Sequence, residues 1–187
     1  MKNWKVAMEK LSTARLPTIP ANLINPKVKI EICGKKYRVE IGGQTAKIIY
    51  DAEIRAVYAT DGYVVKIDHR IKDAPVSFVN HCGHEIRRWL RWKDKAICFD
   101  GHLLPVARHL CPILNWGQLQ PKISWLLSPR LIEVDDDKNV DYRAMVAIAR
   151  KLKLQDVVNE NYSGSYIFWD QYGLTPNGIP QIWDYAY

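Results

Sequence analysis

Five short strand-like runs between Lys27 and Asp68 constrain this chain most. In Lys27–Ile32 the residues Val28, Ile30 and Ile32 share one face, and in Tyr37–Ile41 the residues Tyr37, Val39 and Ile41 do the same, which is the two-residue period of a strand with one buried face. Ala46–Tyr50, Ile54–Ala59 and Tyr63–Asp68 complete the set, and Gly34-Lys35, Gly42-Gly43 and Asp61-Gly62 supply the turns. Asp-Gly between two apolar runs is a strong hairpin signal. The first third is therefore expected to be a twisted antiparallel sheet.

The period then changes. Within Phe78–Lys93, Cys82, Glu85, Ile86, Trp89 and Leu90 fall on one helical face, while Arg87, Arg88, Arg91 and, just beyond, Lys95 fall on the other. Short apolar segments follow at His102–Val106 and Ser124–Leu127. A second helix is expected over Val140–Leu154, with Met145, Ile148, Ala149 and Leu152 as its stripe. Asp135, Asp136 and Asp137 precede it and Arg150, Lys151 and Lys153 close it, as the helix dipole favours. Gln181–Trp183 reads as a last strand, with Asp184 just beyond. At the other end Asn3–Ala14 reads as a short amphipathic helix, and Pro17, Pro20 and Pro26 break the chain into an extended linker.

A chain of 187 residues, 48% hydrophobic and 25% charged, suits one globular domain with a small extension. We divide it into a basic N-terminal extension, 1–45, and a main domain, 46–187. It has no apolar run long enough for a membrane span and no secretory leader. Cys33, Cys82, Cys98 and Cys111 form no C-x-x-C pair, which suits a reduced, cytoplasmic setting. Residues 1–50 hold ten lysines and arginines against three acids, so they carry the whole net charge of +7. That imbalance suits either a solvated basic surface or an arm that meets an acidic partner. Lys27, Lys29, Lys35, Lys36 and Arg38 around Tyr37 could track a phosphate backbone. No recognised nucleic-acid motif accompanies them, so a nucleic-acid partner is the weaker expectation. His81, Cys82 and His84, and His109 with Cys111, lie close in sequence. Their spacings match no familiar structural zinc site.

Two charges sit where apolar residues belong. Lys66 shares a strand face with Val64, and Glu85 lies on the apolar face of the next helix, level with Cys82 and Trp89. A buried ammonium and a buried carboxylate are each costly alone, so pairing them is the economical solution. Independent snorkelling to solvent is the alternative.

At this point the chain resembles the protein-kinase family. In that family the third strand of the N-lobe carries a Val-Ala-Ile-Lys motif whose lysine pairs a helix glutamate and holds the α- and β-phosphates. Tyr63-Val64-Val65-Lys66 and Glu85 look like these parts. Arg55-Ala56-Val57-Tyr58 looks like the strand after the Gly-rich loop, which puts Val57 and Val64 over the adenine. Ser128-Pro129-Arg130 looks like the hinge, whose backbone would bond the adenine edge. Asp156-Val157-Val158-Asn159-Glu160-Asn161 looks like the catalytic loop, and Trp183-Asp184-Tyr185 like Asp-Phe-Gly. The resemblance implies that Asp156 accepts the substrate proton, with Lys66 and Glu85 completing the catalytic set. It also implies that Asn161 and Asp184 hold Mg²⁺ against ATP.

The implied fold is α+β and protein-kinase-like: an antiparallel N-lobe sheet with one helix, plus a minimal C-lobe. The resemblance covers about Ala46–Tyr187 and is closest to small phage-encoded kinase-like proteins. It implies an ATP/Mg-binding protein that phosphorylates a host protein. The alternative is a pseudokinase that inhibits a host enzyme or defence complex by binding it.

Several departures bear on that choice. The three glycine positions of the loop fall on Tyr50, Ala52 and Arg55, and Asp51 and Glu53 would repel phosphate. Val158 stands at the catalytic-loop lysine position and Gln155 at the arginine before the catalytic aspartate. The sequence ends three residues after Asp184, which leaves no length for an activation loop. The stretch from Asn161 to Asp184 is also longer than the family pattern. An insertion after Asn161 keeps the polar pair. Closing the gap instead puts Gln171 in the asparagine position and Tyr166 in that of the catalytic aspartate.

Overall fold

The computed structural model describes residues 25–34, 36–52, 54–69, 80–121, 123–134, 140–154, 157–161, 164–167 and 171–184. The helix expected over Asn3–Ala14 and most of the proline linker lie outside them, as does Asp156.

The protein is α+β, built mostly from antiparallel strands with two helices among the described residues. The early runs form β1 (Val28–Cys33), β2 (Lys36–Ile41), β3 (Gln44–Thr45), β4 (Lys47–Asp51), β5 (Arg55–Ala59) and β6 (Tyr63–Asp68). They do not make one sheet, as expected, but two. β1–β2–β3 is a three-stranded sheet, while β4, β5 and β6 join β10 (Ile123–Pro129) and β9 (Asn115–Gln120) in a five-stranded sheet of order β4-β5-β6-β10-β9. Apolar faces explain the split. Val39 and Ile41 of β2 pack with Ala56, Tyr58, Val65, Ile67, Ile123 and Leu127 of the larger sheet in one buried cluster. The smaller sheet therefore covers one face of the larger one.

Alternation then fixes the opposite face. If Ala56 and Tyr58 point to that cluster, Arg55 and Val57 point away. If Val65 and Ile67 do, Val64, Lys66 and Asp68 point away. Helix α1 (His81–Trp92) lies on this second face, with Cys82, Ile86 and Trp89 in a larger core that includes Leu126, Met145, Ile148 and Tyr172.

The start of α1 is pinned tightly. Asn80 Oδ1 accepts from the backbone N–H of Gly83 at 3.0 Å and from Ser124 Oγ at 2.9 Å. Asp68 accepts from Cys82 N–H at 3.1 and 3.2 Å. Both are N-terminal caps. A Cβ at position 83 would lie 2.1 Å from Asn80 Oδ1, so any side chain there would displace the capping amide. One turn further on, the helix carries Glu85 above Lys66.

Between α1 and β9 the chain makes a hairpin of β7 (Ala96–Phe99) and β8 (His102–Pro105), then a single 3-10 turn, Val106–Arg108. After β10 comes α2 (Arg143–Leu152), inside the expected range. Two small hairpins follow: β11 (Val158–Asn161) with β12 (Gly164–Ile167), and β13 (Tyr172–Leu174) with β14 (Pro180–Ile182). Val158–Asn161 is thus a strand rather than the loop expected. Its backbone is paired across a ladder with Gly164–Ile167, which the polar sequence of the stretch did not signal.

The β13–β14 hairpin is tied to the rest at two points. Ile132 and Leu174 exchange backbone hydrogen bonds at 2.8 and 2.9 Å. Ile182 bonds the chain on both sides of Leu110, donating to His109 O at 2.9 Å and accepting from Cys111 N–H at 2.8 Å. These ties carry Trp183 and Asp184 to the open face of the larger sheet. No described helix is long and apolar enough to cross a membrane.

Candidate functional site

A cleft of about 380 Å³ opens between the larger sheet and the β13–β14 hairpin. Its sheet wall carries Arg55 and Val57 from β5, Val64 and Lys66 from β6, and Ser128 from β10. Gln171, Trp183 and Asp184 line the other side, and Pro129, Arg130, Leu131 and Glu133 line the segment that joins the two. Five sequence-predicted residues, Val57, Val64, Lys66, Ser128 and Asp184, therefore meet in one cavity.

The inner end of the cleft is a network of four charges. Lys66 Nζ donates to Glu85 Oε2 at 2.9 Å and Oε1 at 3.1 Å, so the expected pair is formed. Lys66 Nζ also donates to the carbonyl of Trp183. Arg55 Nη1 donates to Glu85 Oε1 at 2.8 Å. The same guanidinium grips Asp184, with Nη2 on Oδ2 and Nη1 3.5 Å from Oδ1. Arg55 was expected only as a lost glycine. In the structure it bridges the lysine's partner and the carboxylate beyond the last strand.

Burial and pairing shift the acids in opposite directions. Burial pushes Glu85 up to about 7, with Lys66 opposing and Asp184 adding to the rise. Asp184 is held well below the usual carboxylate range, because Lys66 and Arg55 outweigh its burial. Arg55 is lifted above its ordinary value by Asp184 and Glu85, against its own burial. Asp68, behind the network, is raised by burial to about 6, with the Cys82 backbone bond opposing. One buried carboxylate pushed up beside another held down is what two acids sharing two cations produce.

The hinge-like segment differs from the resemblance. Ser128 pairs with Val64 in the β6–β10 ladder. Pro129 has no N–H, and the N–H of Arg130 is taken by Gly62 O at 2.9 Å. Arg130 Nη1 also reaches Thr60 O at 3.2 Å. Pro129 and Arg130 thus present no backbone donor to a ligand, and apolar contact from Val57, Val64 and Leu131 dominates this part of the cleft.

Among the described residues a divalent metal is not matched. Asp184 directs its oxygens to Arg55, Glu85 divides its own between Lys66 and Arg55, and the neighbouring lining residue is an amide, Gln171. Among the described residues no three His, Cys, Asp or Glu side chains converge as a metal site. His109 Nδ1 instead donates to Pro180 O at 2.9 Å, and Cys111 Sγ to Pro129 O at 3.7 Å. Asn161 ends β11, in the hairpin that precedes Gln171.

No protein-family model matches the chain, and no curated protein does. Among solved structures it is similar to WbdD, at 10% identity and a TM-score of 0.46, over 84% of this chain and 34% of that one. A WbdD structure with a kinase inhibitor gives 12% identity and 0.45, over 80% and 34%. A third, of the bifunctional kinase-methyltransferase WbdD, gives 12% and 0.40, over 71% and 29%. The chain spans about a third of the length of these structures.

Proposed function

We propose that this protein is a kinase-like nucleotide-cleft protein that has given up phosphoryl transfer and acts by binding. The observation that carries the reading is the Arg55–Asp184 contact. Phosphoryl transfer in this family needs the carboxylate after the last strand on a metal ion. Here that carboxylate is held by a buried guanidinium instead. The apolar walls around Val57 and Val64, with Lys66 at the inner end, still suit a base and sugar.

The partner in this reading is a protein. The resemblance to phage-encoded kinase-like proteins makes a host enzyme or defence complex the natural target, met through the basic N-terminal segment. Two assays on the intact chain test the reading. With radiolabelled ATP and Mg²⁺, neither autophosphorylation nor transfer to generic protein substrates is expected. Titration calorimetry is expected to show adenosine binding. Sustained phosphate transfer would refute the binding-protein reading, and failure to bind any nucleoside would remove the nucleotide cleft.

A second reading has one observation in its favour, because the Lys66–Glu85 pair of an active kinase is formed. It requires ATP and Mg²⁺ to displace Arg55 from Asp184, and the transfer assay decides it.

A further inference from the structure

Resting on the nucleotide-cleft reading, we infer that the ligand is a nucleoside monophosphate taken up without a divalent metal, its phosphate received by Arg55.

Three observations lead there. The first is the hydrogen-bond inventory of Arg55. Nη1 and Nη2 are committed to Glu85 and Asp184, whereas Nε is buried and has no hydrogen-bond partner. A guanidinium carries five donors, and a buried one left unmatched is unfavourable unless an acceptor meets it. Arg55 lines the cleft, and a small turn of its guanidinium that opens Nε to the cavity would let an oxygen of a ligand there serve as that acceptor.

The second observation is charge. Arg55 and Lys66 are balanced by Glu85 and Asp184, all within one connected network. Such a site offers a guanidinium edge to one phosphate but no surplus cation for three. On the cleft wall Glu133 adds a negative charge and Arg130 a positive one already engaged with Thr60 O, so the wall supplies no net cation for a longer polyphosphate. The usual remedy, a metal ion bridging phosphates to the carboxylate, is closed because Asp184 already holds Arg55. A fixed guanidinium is a strong receiver of phosphate in its own right.

The third is size. A volume of about 380 Å³ lies at the low end of the range of small-molecule sites. It accommodates a base, a sugar and one phosphate.

Calorimetry on the full chain tests this with AMP, ATP and adenosine, each in EDTA and in excess Mg²⁺. AMP is expected to bind about tenfold or more tighter than adenosine, the worth of one charge-assisted hydrogen bond. Mg²⁺ is expected to change AMP affinity by less than about threefold, and ATP is expected to bind more weakly than AMP in EDTA. Arg55→Lys keeps a cation in the network but removes the Nε donor and the fork. It is expected to lose about tenfold for AMP, and clearly more for AMP than for adenosine. Because the wild-type comparison needs no variant, the test survives if Arg55→Lys does not fold. Adenosine binding with no gain from the phosphate, or AMP or ATP binding that requires Mg²⁺, overturns the inference and leaves the nucleotide cleft standing. Absence of binding by adenosine, AMP and ATP alike overturns both.

Discussion

Arg55 and Asp184, 129 residues apart in sequence, are joined by a forked guanidinium–carboxylate contact at the inner end of the cleft. The contact ties the first residue of β5 to the segment just beyond β14, so the two sides of the cleft are fastened by charge as well as by backbone ties. Replacing Arg55 with alanine leaves Asp184 facing only Lys66, and leaves Glu85 with one cation instead of two. Breaking a buried pair from one side costs about 3–5 kcal/mol when the remaining charge stays dry. Arg55 has 12% and Asp184 24% of the side chain exposed, so water recovers part of that. We expect Arg55→Ala to lower unfolding free energy by about 2 kcal/mol in urea titration. A loss below about 0.5 kcal/mol would mean the contact contributes nothing to stability.

Lys66 and Glu85 should behave as a unit. Both are almost fully buried, and each satisfies the other through two short hydrogen bonds. Lys66→Met leaves Glu85 with Arg55 as its one cation, and Glu85→Leu leaves Lys66 and Arg55 to share Asp184, so each alone should cost about 2–3 kcal/mol. The double variant removes both charges and restores apolar packing, so it should recover a large share of that loss. A double-mutant cycle is therefore expected to give a coupling on the order of 1–3 kcal/mol. Additive single effects would show that the two side chains act independently.

The parts of the site legible in the sequence were those that violate a local rule. Lys66 interrupts an apolar strand and Glu85 interrupts an apolar helix face, so each stands out and each asks for a partner. Asp184 was found by its place after a final strand. Arg55 was missed as an ion partner because a charge at the start of a strand looks ordinary. Its two-residue offset from Val57 was the available signal, since it puts both on the cleft face. β9 alternates in burial, but its large apolar residues Trp116, 43% exposed, and Leu119 fall on opposite faces, so no apolar period of two marks the strand in the sequence. β11 and β12 are held by a ladder between polar stretches, which no hydrophobic period announces. The split of the early strands into two sheets depends on which faces meet, and that is set by tertiary packing.

Gly173 reports on how tightly the β13–β14 hairpin is held. A Cβ there would lie 2.7 Å from Leu131 Cβ and 3.0 Å from both Ile132 O and Trp183 Cζ3. Leu131 Cβ and Ile132 O are the root of a side chain and backbone, so they cannot swing aside, and only the Trp183 ring can yield. Overpacking of this kind typically costs about 1–3 kcal/mol. Gly173→Ala is expected to lower the midpoint of thermal unfolding and, by pushing Trp183 outward, to weaken the proposed adenosine binding. A variant that melts and binds like the wild type would mean the hairpin yields freely.

The raised Glu85 gives stability a distinct pH dependence. In the unfolded chain a glutamate titrates at about 4.3, whereas folded Glu85 is pushed up to about 7. Between those values the folded state holds a proton that the unfolded state has released, so this residue's contribution falls as pH rises. Asp68, raised to about 6, acts in the same direction. His109, lowered by burial to about 4, acts oppositely, because the unfolded imidazole holds the extra proton between about 4 and 6.5. Asp184, held low, loses its contribution only in stronger acid. The net curve thus mixes several groups, and a comparison of the wild type with Glu85→Gln isolates one. Glutamine imitates the protonated acid at every pH, so the variant lacks the Glu85 slope. Relative to Glu85→Gln, the wild type should lose on the order of 2 kcal/mol between pH 5 and pH 8, measured by urea unfolding at constant ionic strength. A gap that stays constant across that range would mean Glu85 is ionised throughout and that Lys66 and Arg55 together fully offset its burial.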